Sequence, residues 1–218
     1  MHKTSKKMVA SMPVPVTADI LKKAFEHADF IEIPATIHDY WQLIELPQYR
    51  LDYTNHQIKG TMSYGSLPHE AIISNLLVQL SIAFEDNGFQ IFGSNRPLFA
   101  EGCNDIFEAD IHMAQLPLLI HEYDKTKTAT KNPHVIVEVH SPSTRNYDLT
   151  DKLECYKAIP TVQQIIYIES TSLKVTTFNR TSKPNHWLTI DYKNPDFKVK
   201  ILNKFVPMSK IYKNTKLV

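Results

Sequence analysis

Apolar residues recur at helical spacing in three places. Ile20, Leu21, Ala24 and Phe25 follow Thr17, a residue suited to an N-cap, and predict a helix over residues 17–27. Thr36 opens a second predicted helix over 37–46, closed by Pro47. Pro68 begins the longest, which runs to about residue 86 and stops at Gly88, with Ile72, Leu76, Leu77, Leu80 and Ile82 as its core-facing stripe. Period-two alternation governs most of the remainder. Residues 49–53 and 57–63 read as paired strands around Thr54-Asn55-His56. Further strands are predicted at 90–92, 96–100, 107–114 and 134–140. A helix over 148–158 precedes strands at 164–169, 173–179, 187–192 and 197–201, with a helical turn near 209–212. Strands outnumber helices and their order is mixed. The pattern therefore predicts an α/β or α+β fold, a mixed curved sheet flanked by helices.

Residues 1–16 show no periodicity and are expected to form a flexible N-terminus, leaving 17–218 as a single domain. A composition of 43% hydrophobic and 22% charged residues is that of an ordinary globular chain. No apolar run approaches the ~20 residues of a membrane helix, so no membrane partner is expected. Five glycines without a Gly-rich loop argue against a P-loop or a dinucleotide site. Cys103 and Cys155 could close at most one disulfide, and a reduced, cytoplasmic protein is expected. The net charge of +1 hides an asymmetry: residues 193–218 carry seven Lys and one acid, so residues 1–192 sum to −5. A uniformly basic nucleic-acid clamp is excluded, while a local basic strip is not.

Three segments carry candidate chemistry. In the Val/Ile-rich run 134–140, alternation puts Val135, Val137 and Val139 on one face and His134, Ile136, Glu138 and His140 on the other. An acid inside such a strand is costly unless paired or bound to a metal, so Glu138 is either an inward salt-bridge acid or a ligand. In the second segment, Asp110 and His112 share a face of the 107–114 run. If the two strands are neighbours, Asp110 and Glu138 converge and repel unless a hard divalent cation, Mg²⁺ or Mn²⁺, lies between them. In the third, Asp148, Lys152 and Tyr156 are spaced four apart on one helix face. Lys152 alone could be an ordinary intrahelical partner of Asp148.

Taken together, Asp110, then Glu138-Val-His-Ser-Pro-Ser-Thr, then Asp148-Leu-x-x-Lys152-x-x-x-Tyr156 resemble the Uma-two family of restriction-endonuclease-like proteins, in the PD-(D/E)XK nuclease superfamily. Tyr49-Arg-Leu-Asp52-Tyr, the Met62-Ser63 and Pro68-His69 elements, and the strand ending at Glu169 extend the resemblance over roughly residues 36–212. It implies a restriction-endonuclease-like core and an Mg²⁺- or Mn²⁺-dependent endonuclease acting on DNA. Asp110 and Glu138 would be metal ligands, with the Val139 carbonyl a third, and Lys152 the lysine of the site. His140 occupies the position where the superfamily usually has lysine and would be an additional base. The family commonly has Pro where Ala109 stands and Glu where Asp52 stands. His69 falls where the family often has His, and would either touch the site or bond locally at its helix start. Lys125, Lys127, Lys131 and Arg145 would contact phosphates. A homodimer is expected by analogy with nucleases that cut both strands.

Two other readings compete. Asp110, His112, His134, Glu138 and His140 on one side would suit a Zn²⁺ or Fe²⁺ metallohydrolase. A non-catalytic nucleic-acid-binding or interaction protein on the same fold would suit the near-neutral charge.

Overall fold

A computed structural model describes residues 14–62, 65–140 and 145–218. Residue 63, predicted to end a strand, and residues 141–144 of the Ser-Pro-Ser-Thr motif lie outside them, as does most of the predicted N-terminal tail. Among the described residues, Val16 is the first to be buried, in the same cluster as Leu21.

The elements run α1 (Ala18–Phe25), β1 (Phe30–Pro34), α2 (Ile37–Leu43), β2 (Tyr49–Thr54), β3 (Gln57–Met62) and α3 (Leu67–Phe84). Seven strands follow: β4 (Phe89–Gly93), β5 (Leu98–Ala100), β6 (Asp105–Phe107), β7 (Ile111–Gln115), β8 (Ile120–Glu122), β9 (Thr128–Thr130) and β10 (Pro133–His140). Then come α4 (Arg145–Tyr147), a π-helical turn (Asp148–Lys152) and α5 (Leu153–Ala158). The chain closes with β11 (Gln164–Glu169), β12 (Val175–Arg180), β13 (Trp187–Tyr192), the hairpin β14 (Lys198–Ile201) and β15 (Lys204–Pro207), and α6 (Met208–Ile211).

Local chemistry explains the element starts. Thr36 and Asp39 form a reciprocal capping box: the Thr36 hydroxyl accepts from the Asp39 N–H at 3.1 Å and Asp39 accepts from the Thr36 N–H at 2.8 Å. Ser66 caps α3, with Pro68 in its first turn. Thr17 precedes α1 but its side chain makes no capping bond. The β2–β3 turn is two residues, Asn55 and His56, both at positive φ as a twisted hairpin requires.

Two mixed sheets replace the single one expected. One has the order β1-β3-β2-β6-β5-β9-β8 and the other β13-β12-β11-β10-β7-β4, with β14–β15 a separate ribbon. In the second sheet β10 is central, parallel to β11 and antiparallel to β7. α3, α6 and the ribbon cover one face of this sheet, where Val135, Val137 and Val139 meet Ile72, Leu76 and Leu80. α5 covers the other face, packing Leu153 and Tyr156 on Ile136, Ile165 and Tyr167. α3 is 18 residues long and, by length and composition only, apolar enough to cross a membrane. In the structure its Ile72, Leu76 and Leu80 are fully buried against the sheet.

The predicted strand 107–114 is broken. β6 ends at Phe107, residues 108–110 bend, and β7 starts at Ile111 in the other sheet. The chain changes sheets there, and Glu108 and Asp110 sit at the joint. The cysteines depart from expectation as well. Cys103 and Cys155 are joined by a disulfide, not reduced, which ties the β5–β6 turn to α5.

Candidate active site

The joint between the sheets opens into a cleft of about 1300 Å³ whose wall includes Arg50, Asp52, His69, Asp110, Glu138 and Lys152. Asp110 and Glu138 are locked across the end of the β7–β10 pair. The Val139 N–H donates to Asp110 Oδ2 at 2.6 Å, and the Asp110 N–H points to Glu138 Oε2 at 3.4 Å. Each carboxylate therefore rests on the other strand's backbone. The second Asp110 oxygen takes Arg50 Nη1 at 2.6 Å, while Arg50 Nη2 donates to the Glu108 carbonyl at 2.9 Å. His69 Nε2 lies 3.6 Å from Asp110 Oδ2, and its Nδ1 lies 3.1 Å from Glu70.

Close packing in the first sheet presents Arg50 and Asp52. β3 carries Gly60 opposite Leu51, and a Cβ there would stand 2.5 Å from the Arg50 carbonyl oxygen. Only glycine admits that approach. Asp52 then accepts the Glu108 N–H at 2.7 Å, and Glu108 accepts the Leu51 N–H at 3.1 Å, which fixes the joint to β2.

Lys152 is more than an intrahelical partner. Its Nζ lies 3.0 Å from Glu138 Oε1, 3.1 Å from Asp52 Oδ2 and 3.6 Å from Asp148 Oδ1. The wider π-helical turn ends at this residue; such turns recur where a helix must aim a functional side chain. One turn on, the Tyr156 hydroxyl donates to Glu138 Oε1 at 2.6 Å.

Burial and charge set the protonation states. Burial works against ionisation of Asp110, yet Arg50, the His69 contact and the Val139 N–H hold its carboxyl well below the usual range. Burial raises the Glu138 carboxyl; Lys152 opposes this, and Asp148 and Asp110 add to it. Glu108 is pushed up to about 7 by burial and by Asp52. Burial would lower Lys152, but Asp52, Glu138 and Asp148 outweigh it and keep the ammonium charged. Five carboxyl groups (Asp52, Glu108, Asp110, Glu138 and Asp148) thus surround two fixed cations, Arg50 and Lys152, leaving an excess of oxygen donors and negative charge.

The sequence-predicted residues divide. Asp110, Glu138, Val139 and Lys152 come together on the cleft, with Asp52 and His69 beside them. His140 shares the Glu138 face but is buried behind it, 3.9 Å from Asp148 and 3.8 Å from Glu169, with its ring 4.5 Å from Tyr167. It is absent from the cleft wall. His112 stacks on Phe92 and His134 packs on Phe89 and bonds the Asn132 carbonyl. The three histidines thus do not converge with Asp110 and Glu138; at the cleft the carboxylates are joined by a different histidine, His69. Of the candidate phosphate contacts, Lys127 lines the cleft but donates to the Trp41 carbonyl at 2.6 Å. Lys131 pairs with Glu101, Arg145 with Glu169, and Lys125 is exposed. Sequence reasoning assigned no role to Arg50 or Glu108. Alternation offered a signal for both, since Arg50 shares a parity with Asp52 and Glu108 with Asp110.

Comparison with known proteins agrees with this architecture. A family model described as "Uma2: Putative restriction endonuclease" matches residues 37–209. The chain belongs to this family. A relative from Synechocystis sp., the uncharacterized protein sll1609, is 27% identical over 124 residues, 56% of this chain and 68% of that protein. A crystal structure from Anabaena variabilis, titled as a "putative nuclease belonging to DUF820", superposes with a TM-score of 0.59 at 17% identity, covering 82% of this chain and 98% of that one. At that identity the likeness shows the fold, a restriction-endonuclease-like one. Uma2 membership places the chain in a family described as "Putative restriction endonuclease".

Proposed function

We propose that this Uma2 chain is a divalent-cation-dependent endonuclease that hydrolyses phosphodiester bonds of DNA. One observation supports the reading above the others: two carboxylates from neighbouring strands, Asp110 and Glu138, meet a buried lysine at the wall of an open cleft. The donor set fits a hard cation. Asp110 and Glu138 would hold Mg²⁺ or Mn²⁺, with the Val139 carbonyl as a third oxygen, because N–H and C=O of one strand residue face the same neighbour and the Val139 N–H faces Asp110. When bound, the cation supplies a Lewis acid for a phosphate oxygen and acidifies a water.

The chain's own residues do the rest. Lys152, cationic at working pH, orients the attacking water and offsets charge that builds on the phosphate oxygens during in-line attack. Tyr156 fixes the Glu138 rotamer through its 2.6 Å bond. Arg50 keeps Asp110 ionised and stands ready to share it with a cation or to bind a phosphate oxygen. His69, raised by Asp110 against the effect of burial, offers a further N–H at the cleft wall.

The reading is tested by nicking of supercoiled plasmid in Mg²⁺ or Mn²⁺. Wild-type protein is expected to cut and to stop in EDTA, and Glu138→Ala to be inactive. Equal cutting by Glu138→Ala, or none by wild type in either metal, would overturn it.

A further inference from the structure

The basic C-terminal segment has a structural focus that the cleft does not use. β14 and β15 pair with Lys200 opposite Phe205, Lys198 opposite Pro207, and Val199 opposite Val206. Val199, Ile201 and Val206 face inward to the core. Alternation turns Lys198, Lys200 and Phe205 to the outer face, where both lysines are exposed and the Phe205 side chain is 61% exposed. Among the described residues no carboxylate pairs with Lys198, Lys200, Lys204, Lys210 or Lys213, although Lys174 and Lys193 nearby both bridge to Asp191. The outer face therefore presents an exposed aromatic ring on the same side as two lysines that no acid neutralises.

We propose that the outer face of this hairpin, Phe205 with Lys198 and Lys200, is a contact surface for single-stranded nucleic acid, separate from the cleft. The proposal rests on the nuclease reading for the identity of the polymer. Charge complementarity carries it: residues 193–218 are +6 on a body of −5, so a polyanion is drawn toward this segment. Unpaired bases expose the π-faces that an exposed phenyl ring can stack on, while bases in a duplex do not. A second copy of this chain is disfavoured, because two +6 segments would meet face to face.

The surface lies away from the cleft. Gln164 ties the hairpin to the start of β11, donating to the Lys200 carbonyl at 2.8 Å and accepting the Leu202 N–H at 3.1 Å. Gln164 is level with Val135 on β10, whereas the cleft begins at Glu138 and Val139. Three strand residues separate Val135 from Glu138, a rise of roughly 10 Å along the strand. A strand held in the cleft must therefore run on beyond the scissile nucleotide to reach Phe205.

The test is fluorescence anisotropy with a labelled 20-nucleotide oligothymidylate in EDTA, alongside Mn²⁺-dependent hydrolysis of bis(p-nitrophenyl) phosphate, a diester too small to span the two surfaces. Phe205→Ala is expected to weaken oligonucleotide binding roughly 5-fold or more. The exposed pair Lys198→Gln/Lys200→Gln, which leaves the packed face untouched, should lower the slope of log K against log salt by about 1.4. Both should hydrolyse the small diester at the wild-type rate. Unchanged affinity and slope in both variants, or no oligonucleotide binding by wild type, would overturn the proposal. So would binding to phosphatidylserine vesicles that the variants lose while their oligonucleotide affinity stays intact. If the variants lose oligonucleotide binding but wild type cleaves neither the diester nor plasmid, the nuclease reading fails and the surface stands.

Discussion

Arg50 and Tyr156 hold the two acids that define the cleft, and each can be removed separately. Asp110 is 2% exposed and Arg50 a quarter exposed, so Arg50→Met leaves a buried carboxylate without its cation. The expected cost is about 2–3 kcal/mol, below the full penalty of a deeply buried pair because Arg50 reaches water. Denaturant titration checks it, and an unchanged midpoint would deny the Arg50–Asp110 pair its structural weight. Tyr156→Phe removes one hydrogen bond from Glu138 and should cost about 1–2 kcal/mol while lowering turnover through a loosened rotamer. His112 gives a pH signature. Burial, with Arg96 nearby, lowers it to about 3, so the folded chain holds it neutral while the unfolded chain takes up a proton near 6.5. Stability present above pH 6.5 is therefore lost as pH falls toward 3, by about 2 kcal/mol at pH 5. His112→Leu should flatten that part of the pH dependence in denaturation at pH 7 and pH 5. Identical slopes in both proteins would locate the acid sensitivity elsewhere.

Among the elements, those with strong periodicity and local caps were legible in sequence: α2 with its Thr36–Asp39 box, α3 after Pro68, the β2–β3 hairpin and β10. The 108–110 break was not, because its cause is remote. Glu108 and Asp110 are held by Leu51, Arg50 and Val139, 57, 60 and 29 residues away, and alternation continues undisturbed through the bend. β1, β8 and β9 were missed because strands of three to five residues leave little local pattern. The pairing of Glu138 with Asp110 and Lys152 was foreshadowed by strand and helix parity, whereas Arg50 joins from another sheet, and that partnership has no local trace. The disulfide is an element-scale tie across 52 residues. By loop-closure entropy its removal in Cys103→Ser/Cys155→Ser should cost roughly 2–4 kcal/mol. Thermal unfolding should show a midpoint lower by several degrees, and dithiothreitol should bring wild type down to the variant. A wild-type midpoint insensitive to reductant would contradict the tie.

At the scale of the whole molecule, the cleft exists because the chain changes sheets at residues 108–110, so that side chains from β2, β10 and the π-helical turn face one another across the joint. The acidic body and basic C-terminal segment follow the same division: oxygen donors gather at the cleft, and lysines at the hairpin. The account depends on the carboxylates, and not the histidines, holding the cation. The most direct measurement is a Mn²⁺ titration read by the electron paramagnetic resonance of the free ion, on wild type, Asp110→Asn and Lys152→Ala. The account predicts one Mn²⁺ per wild-type chain, at least 10-fold weaker binding in Asp110→Asn, and largely retained binding in Lys152→Ala, whose turnover alone is lost. Wild-type affinity in Asp110→Asn would contradict it.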